Sequence, residues 1–108
     1  MLSRKERLSR EEFNRFFSLG KRVHSEAFTL VYSPHNKFHA SVVVSKKIAQ
    51  HAVKRNKMRR RIYDILRNYH KLHKNTGVYI FLTKNGIQTK KYIELKNEVT
   101  KQLKTITT

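Results

Sequence analysis

The spacing of hydrophobic and polar positions changes several times along the chain, and each change marks an element. Over residues 9–20, Phe13, Phe16, Phe17 and Leu19 follow Ser9-Arg10-Glu11-Glu12. In that pattern a serine hydroxyl accepts from the N–H three residues on while the glutamate reaches back to the serine N–H, a capping box that opens a helix. Gly20 supplies the left-handed residue that commonly ends one. Three phenylalanines exceed what one narrow stripe can hide, so either this helix is buried broadly or one edge of it faces a groove. From Ala27 to Tyr32, Phe28, Leu30 and Tyr32 alternate with Thr29 and Val31, which predicts a strand. Ser33-Pro34-His35-Asn36 turns the chain into a second strand, Phe38 to Ser45, and so short a turn predicts that the two strands are antiparallel neighbours. Lys21 to His24 reads as a small edge strand. Farther on, Met58, Ile62, Ile65, Leu66, Tyr69 and Leu72 recur every three or four residues, the apolar stripe of a helix. A polar connection, Lys71 to Gly77, leads to Val78–Leu82, apolar at every position and therefore a central strand covered on both faces. Lys84-Asn85-Gly86 is turn chemistry. Tyr92, Leu95, Val99, Leu103 and Ile106 then give a closing amphipathic helix from Thr89 onward. The predicted order is α-β-β-β-α-β-α, an α+β single domain over residues 1–108 without repeats or linkers, with residues 1–7 as a flexible polar arm.

Charge narrows the classes of function. The chain has 108 residues, 25 Lys plus Arg against 7 Asp plus Glu, a formal charge of +18 and no cysteine. A domain this small buries a modest core, so a surface-acting protein is expected. Its partners should be polyanions, nucleic acid first. Without cysteine, disulfides and thiolate zinc sites are excluded, and cytoplasm is the expected compartment. The N-terminal residues lack the apolar core of a signal peptide and no segment reaches the length of a membrane span, so neither secretion nor a membrane partner is expected.

The cations concentrate between Ser45 and Arg67, where Lys46, Lys47, Lys54, Arg55, Lys57, Arg59, Arg60, Arg61 and Arg67 face a single acid, Asp64. At about 100° per residue, Arg60 and Arg67 point away from the apolar stripe and Lys57, Arg59 and Arg61 lie on its flanks. Such a helix packs by one side and offers cations on the other; the bland alternative is a solvated basic face. Hydrolytic chemistry has little material. Glu11 and Glu12 are placed to cap a helix, Asp64 is the sole aspartate, and His70 with His73 has no third ligand at a metal-site spacing. No catalytic residue and no metal site are assigned. Phe13, Phe17 and Tyr32 either belong to the core or offer flat surfaces for unpaired bases beside the backbone-binding Lys46 and Lys47.

Ser45-Lys46-Lys47, Ala52-Val53 and Arg55-Asn56-Lys57-Met58-Arg59-Arg60 follow one another in an order that resembles the signature of the bacterial ribonuclease P protein subunit. The resemblance extends to Leu8, Phe13, Phe17, Gly20, Phe28 and Leu30 and covers most of the chain. Tyr63-Asp64 stands where the family commonly has Arg-Glu, and Ala49 where it commonly has Gly. The resemblance implies a sandwich like the second domain of ribosomal protein S5, with a mostly antiparallel four-stranded sheet, three helices and a left-handed β-α-β crossover around the basic helix. It further implies an endonuclease subunit that assists removal of the 5′ leader of precursor transfer RNA. The catalytic RNA would hold most of the Mg²⁺ and carry the chemistry. Its implied contacts are Lys54, Arg55, Asn56, Lys57, Arg59, Arg60 and Arg61, while Phe13, Phe17, Tyr32, Ser45, Lys46 and Lys47 would form the leader groove. Ribonuclease P RNA and precursor transfer RNA are the expected partners, with no obligatory protein partner. A ribosomal or RNA-chaperone protein that binds without cleavage is the alternative, and a stand-alone nuclease is disfavoured by the shortage of acids.

Overall fold

The computed structural model describes residues 7–107. The order is α1 (Arg10–Leu19), β1 (Lys21–His24), β2 (Phe28–Ser33), β3 (Phe38–Val43), α2 (Ala52–His73), β4 (Gly77–Thr83), a 3₁₀ turn (Asn85–Thr89) and α3 (Tyr92–Thr107). Residues 1–6 of the predicted arm lie outside the described residues, and Arg7 pairs with Ala40 in an isolated parallel bridge.

The sheet runs β1-β2-β4-β3, with β1·β2 and β2·β4 antiparallel and β3·β4 parallel. The predicted β2·β3 hairpin does not form. β4 lies between the two strands and is buried at its first five positions, because a segment apolar on both faces loses most by sitting at an edge. The chain from Ser33 to Phe38 therefore passes over the end of β4, where the Gly77 N–H donates to the Lys37 carbonyl at 2.9 Å. Gly77 has φ +117°, and a Cβ there would stand 2.6 Å from the Tyr32 ring. Both facts favour glycine.

Strand alternation divides the core in two. Phe28, Leu30, Phe38, Ala40, Val42, Tyr79 and Phe81 pack beneath α2 and α3 together with Ile62, Ile65, Leu66, Leu95, Val99 and Leu103. On the opposite face Val31, Val78 and Ile80 pack against Phe16 of α1. The capping box at Ser9 forms as its sequence requires: the Glu12 N–H donates to the Ser9 hydroxyl at 3.2 Å and the Ser9 N–H to the Glu12 carboxylate at 3.0 Å. Gly20 departs from expectation, being extended at φ −71°. Its missing side chain instead leaves room for Val31. The left-handed cap occurs at Lys74, φ 48°, which closes α2. Thus α2 continues through the predicted loop as far as His73, and Leu72, placed in the apolar stripe by periodicity, is 81% exposed.

Candidate nucleic-acid interface

The basic segment begins in a turn. The Ile48 and Ala49 N–H groups both donate to the Ser45 carbonyl, at 3.1 and 3.2 Å, leaving Ser45, Lys46 and Lys47 exposed at the end of β3. Arg55 fixes the junction with α2, since its guanidinium donates to the carbonyls of Ala49 at 2.9 Å and Gln50 at 2.6 Å. The Gln88 amide adds a bond to the Ile48 carbonyl from the 3₁₀ turn. Arg55 thus holds the loop against the helix that carries the other cations. The first turn of α2 has no acidic residue and His51 makes no side-chain cap, so the partial positive charge of the helix end is not offset locally.

Beyond Arg55 the cations divide between two edges of α2. On one edge Asn56, Arg59 and Arg60 line a hollow with Val53 and Tyr63. Arg59 donates to the Asn56 side-chain oxygen, and the Tyr63 hydroxyl accepts from the Val42 N–H at 3.1 Å, tying this edge to β3. On the other edge Lys54, Lys57 and Arg61 border a cleft with Met58, Ile87, Gln88 and Leu95, between α2 and α3. The side chains that α2 buries are Ile62, Tyr63, Ile65, Leu66 and Tyr69, so none of its arginines is buried against the sheet. Neither lining contains an acid. Asp64 pairs with Arg67 at 2.7 Å with both side chains almost half exposed, an arrangement worth little on its own.

A second feature lies on the α1 face. Phe16 is buried, whereas Phe13 and Phe17 remain partly open, their rings stacked with centroids 5.7 Å apart and an interplanar angle of 19°. The wide aromatic face of α1 thus resolves into one buried residue and two that pack against it yet stay partly open. Arg22 lies over Phe17 at 4.5 Å. Strand register puts Ser41, Val43 and Leu82 on this same face, only partly covered, and Ser45–Lys47 follow from the end of β3. Val31 is buried beneath α1. Tyr32 does not join the expected groove. One residue farther along β2, it points to the opposite face and packs on Tyr79 with ring centroids 5.1 Å apart.

The remaining polar candidates have structural partners. Burial is not what holds the Glu12 carboxyl below the usual carboxylate range; the Ser9 backbone N–H is the leading cause, followed by the Ser9 hydroxyl. His70 stacks on Phe38 at 4.2 Å and His73 packs on Tyr69 at 4.2 Å. Among the described residues no group of three or more His, Cys, Asp or Glu side chains could hold a metal ion. No described helix is long and apolar enough to cross a membrane. Sequence reasoning passed over Tyr63, whose hydroxyl bridges α2 to β3, and Gln88, which lies in the turn chemistry after β4. Nothing local in the sequence signals either long-range contact.

The family model described as Ribonuclease P matches residues 2–107. Among solved structures, a Staphylococcus aureus RNase P protein mutant with defective mRNA degradation activity is 23% identical, covering 95% of this chain and 89% of that chain at a TM-score of 0.81. The RNase P protein from Thermotoga maritima is 21% identical, covering 92% of this chain and 96% of that one, also at 0.81. Another structure of the Staphylococcus aureus protein is 26% identical, with coverage of 96% and 91% and a TM-score of 0.73. No curated protein matches. A family match over nearly the whole chain, on the same α+β fold, has one meaning: the chain belongs to the ribonuclease P protein family, the protein subunits of the ribonucleoprotein endoribonuclease of transfer RNA processing.

Proposed function

We propose that the N-terminal half of α2 docks on the catalytic RNA through both of its cation edges while the groove beside Phe13 and Phe17 receives the single-stranded 5′ leader of precursor transfer RNA. The observation that carries this reading is the separation of the two surfaces. Asn56, Arg59 and Arg60 on one edge and Lys54, Lys57 and Arg61 on the other surround a helix whose buried side is fixed by the core. Phe13 and Phe17 stay partly open on the other face of the sheet, which also carries Ser41, Val43 and Leu82, and the exposed Ser45, Lys46 and Lys47 follow from the end of β3. Fixed cations attract phosphates without the ordering cost of a mobile tail, and partly open aromatic rings stack with unpaired bases of any sequence. Arg55 contributes by holding the loop in place. Precursor transfer RNA is the substrate of this reading, and cytoplasm its compartment.

Mg²⁺, in this reading, belongs to the catalytic RNA. The described residues do not fit a site for it: their carboxylates and histidines form no cluster able to hold a metal, and Asp64 is engaged by Arg67. The protein's part is to lower the repulsion between two polyanions, which reduces the Mg²⁺ concentration needed for cleavage. Mixing the purified protein with a bacterial ribonuclease P RNA at low Mg²⁺ should accelerate correctly placed cleavage of precursor transfer RNA. Binding without any acceleration would reject the reading in favour of a general RNA-binding protein.

A further inference from the structure

Tyr32, excluded from the α1 groove, borders a separate cleft of about 460 Å³ at the far end of α2. Tyr69, His73, Lys74, Asn75, Thr76 and Ile106 complete its lining. Lys74 lies thirteen residues beyond Arg61, roughly 20 Å along a helix at 1.5 Å per residue, so this cleft is distinct from the cation edges described above. Its construction is specific. Gly77 lacks the Cβ that would strike the Tyr32 ring, His73 packs on Tyr69 at 4.2 Å with an interplanar angle of 35°, and the left-handed backbone of Lys74 ends the helix at the cleft, its N–H donating to the His70 carbonyl at 2.7 Å.

The chemistry of the walls selects a ligand class. Three aromatic rings provide flat surfaces. Lys74 lines the cleft, Lys21 stands opposite Tyr32 in the β1·β2 register, and no lining residue is acidic. The Asn75 side chain is turned inward: its Nδ2 group is buried on the side of the Tyr79 hydroxyl, and its oxygen lies 3.3 Å from His70 Nδ1. The cleft therefore offers ring faces and cations rather than a base-reading donor, a combination that suits an unpaired base of any sequence and its phosphate. We infer that this cleft is a second RNA site, in which an unpaired base of a single-stranded segment stacks against Tyr32 and His73 with its phosphate at Lys74 and Lys21. This assignment is independent of the roles proposed for α2's cation edges and the α1 groove.

The test is an NMR titration of the full chain with adenosine monophosphate and then with a short oligoadenylate. The assignment predicts shifts clustered at His73, Lys74, Asn75 and Thr76. Replacing Tyr32 risks the core, so the variant combines His73→Ala with Lys74→Asn, since asparagine tolerates the left-handed backbone. The variant should keep its spectrum elsewhere and bind the nucleotide about tenfold more weakly, the order expected for removing one stacking partner and one cation. The Arg59→Ala, Arg60→Ala variant should retain the nucleotide site. Shifts confined to the Phe13 and Phe17 region, unchanged affinity in the cleft variant, or no shifts in the cleft would overturn the assignment; the last would leave the cleft to a protein partner.

Discussion

Phe13, Phe16 and Phe17 occupy one short helix yet have different surroundings, and only geometry separates them. Phe16 is buried between α1 and the sheet, while Phe13 and Phe17 stack at the edge of the groove. The surplus of aromatic side chains was visible in the sequence; which ring stayed open depended on how α1 crosses β2 and β4. Phe17→Ala should weaken binding of leader-containing precursor by roughly 1–3 kcal/mol with a smaller effect on mature transfer RNA, measured by filter binding of both. Equal losses would return Phe17 to a purely structural role. Glu12 shows the opposite case, a residue whose role was fully legible because its partner is three positions away. Hydrogen bonds from Ser9 lower its pKa from the ordinary 4.5, so the stability due to its charge is complete above that value and is lost as pH falls through the lower folded value. Glu12→Gln keeps an acceptor but removes the charge. In denaturant titrations the wild type should exceed this variant by about 0.3–1 kcal/mol near neutrality, with the gap closing under acid. A gap constant with pH would contradict this role for the Glu12 charge.

At the level of elements, periodicity located all three helices and the four strands but not the order in which the strands pair. The central position of β4 was legible from its unbroken apolar run, whereas the β2·β3 hairpin inferred from a short turn gave way because β4 gains more by burying both faces between them. Periodicity also placed Leu72 in the core, yet it is exposed, while His70 in the same turn stacks on Phe38 of β3. Tyr63 acts between elements by accepting the Val42 N–H. Removing that hydroxyl leaves a buried donor unpaired, a loss of about 1–3 kcal/mol. Tyr63→Phe should lower the denaturation midpoint accordingly and leave the overall fold intact. No change would show that this hydrogen bond contributes nothing to anchoring α2 on the edge strand.

For the whole molecule, a charge of +18 on 108 residues identified the class of partner before any structural detail was known. The ordered match to a family signature narrowed that class to one ribonucleoprotein. What the sequence left open was the division of labour within the basic segment. Arg55 holds the loop, Arg67 pairs with Asp64, Lys46 and Lys47 precede the helix, and Lys54, Lys57 and Arg61 stand on one edge of α2 with Arg59 and Arg60 on the other. Charge counting treats these cations as equivalent; their hydrogen bonds separate them. Whether those edges meet RNA phosphates is read directly by the salt dependence of affinity. In titrations of ribonuclease P RNA over a series of salt concentrations, Arg59→Ala with Arg60→Ala should weaken binding and reduce the slope of log K against log salt by about 0.7–0.9 for each phosphate that the variant no longer neutralises. Wild-type affinity and slope in that variant would contradict the docking of α2 on the catalytic RNA.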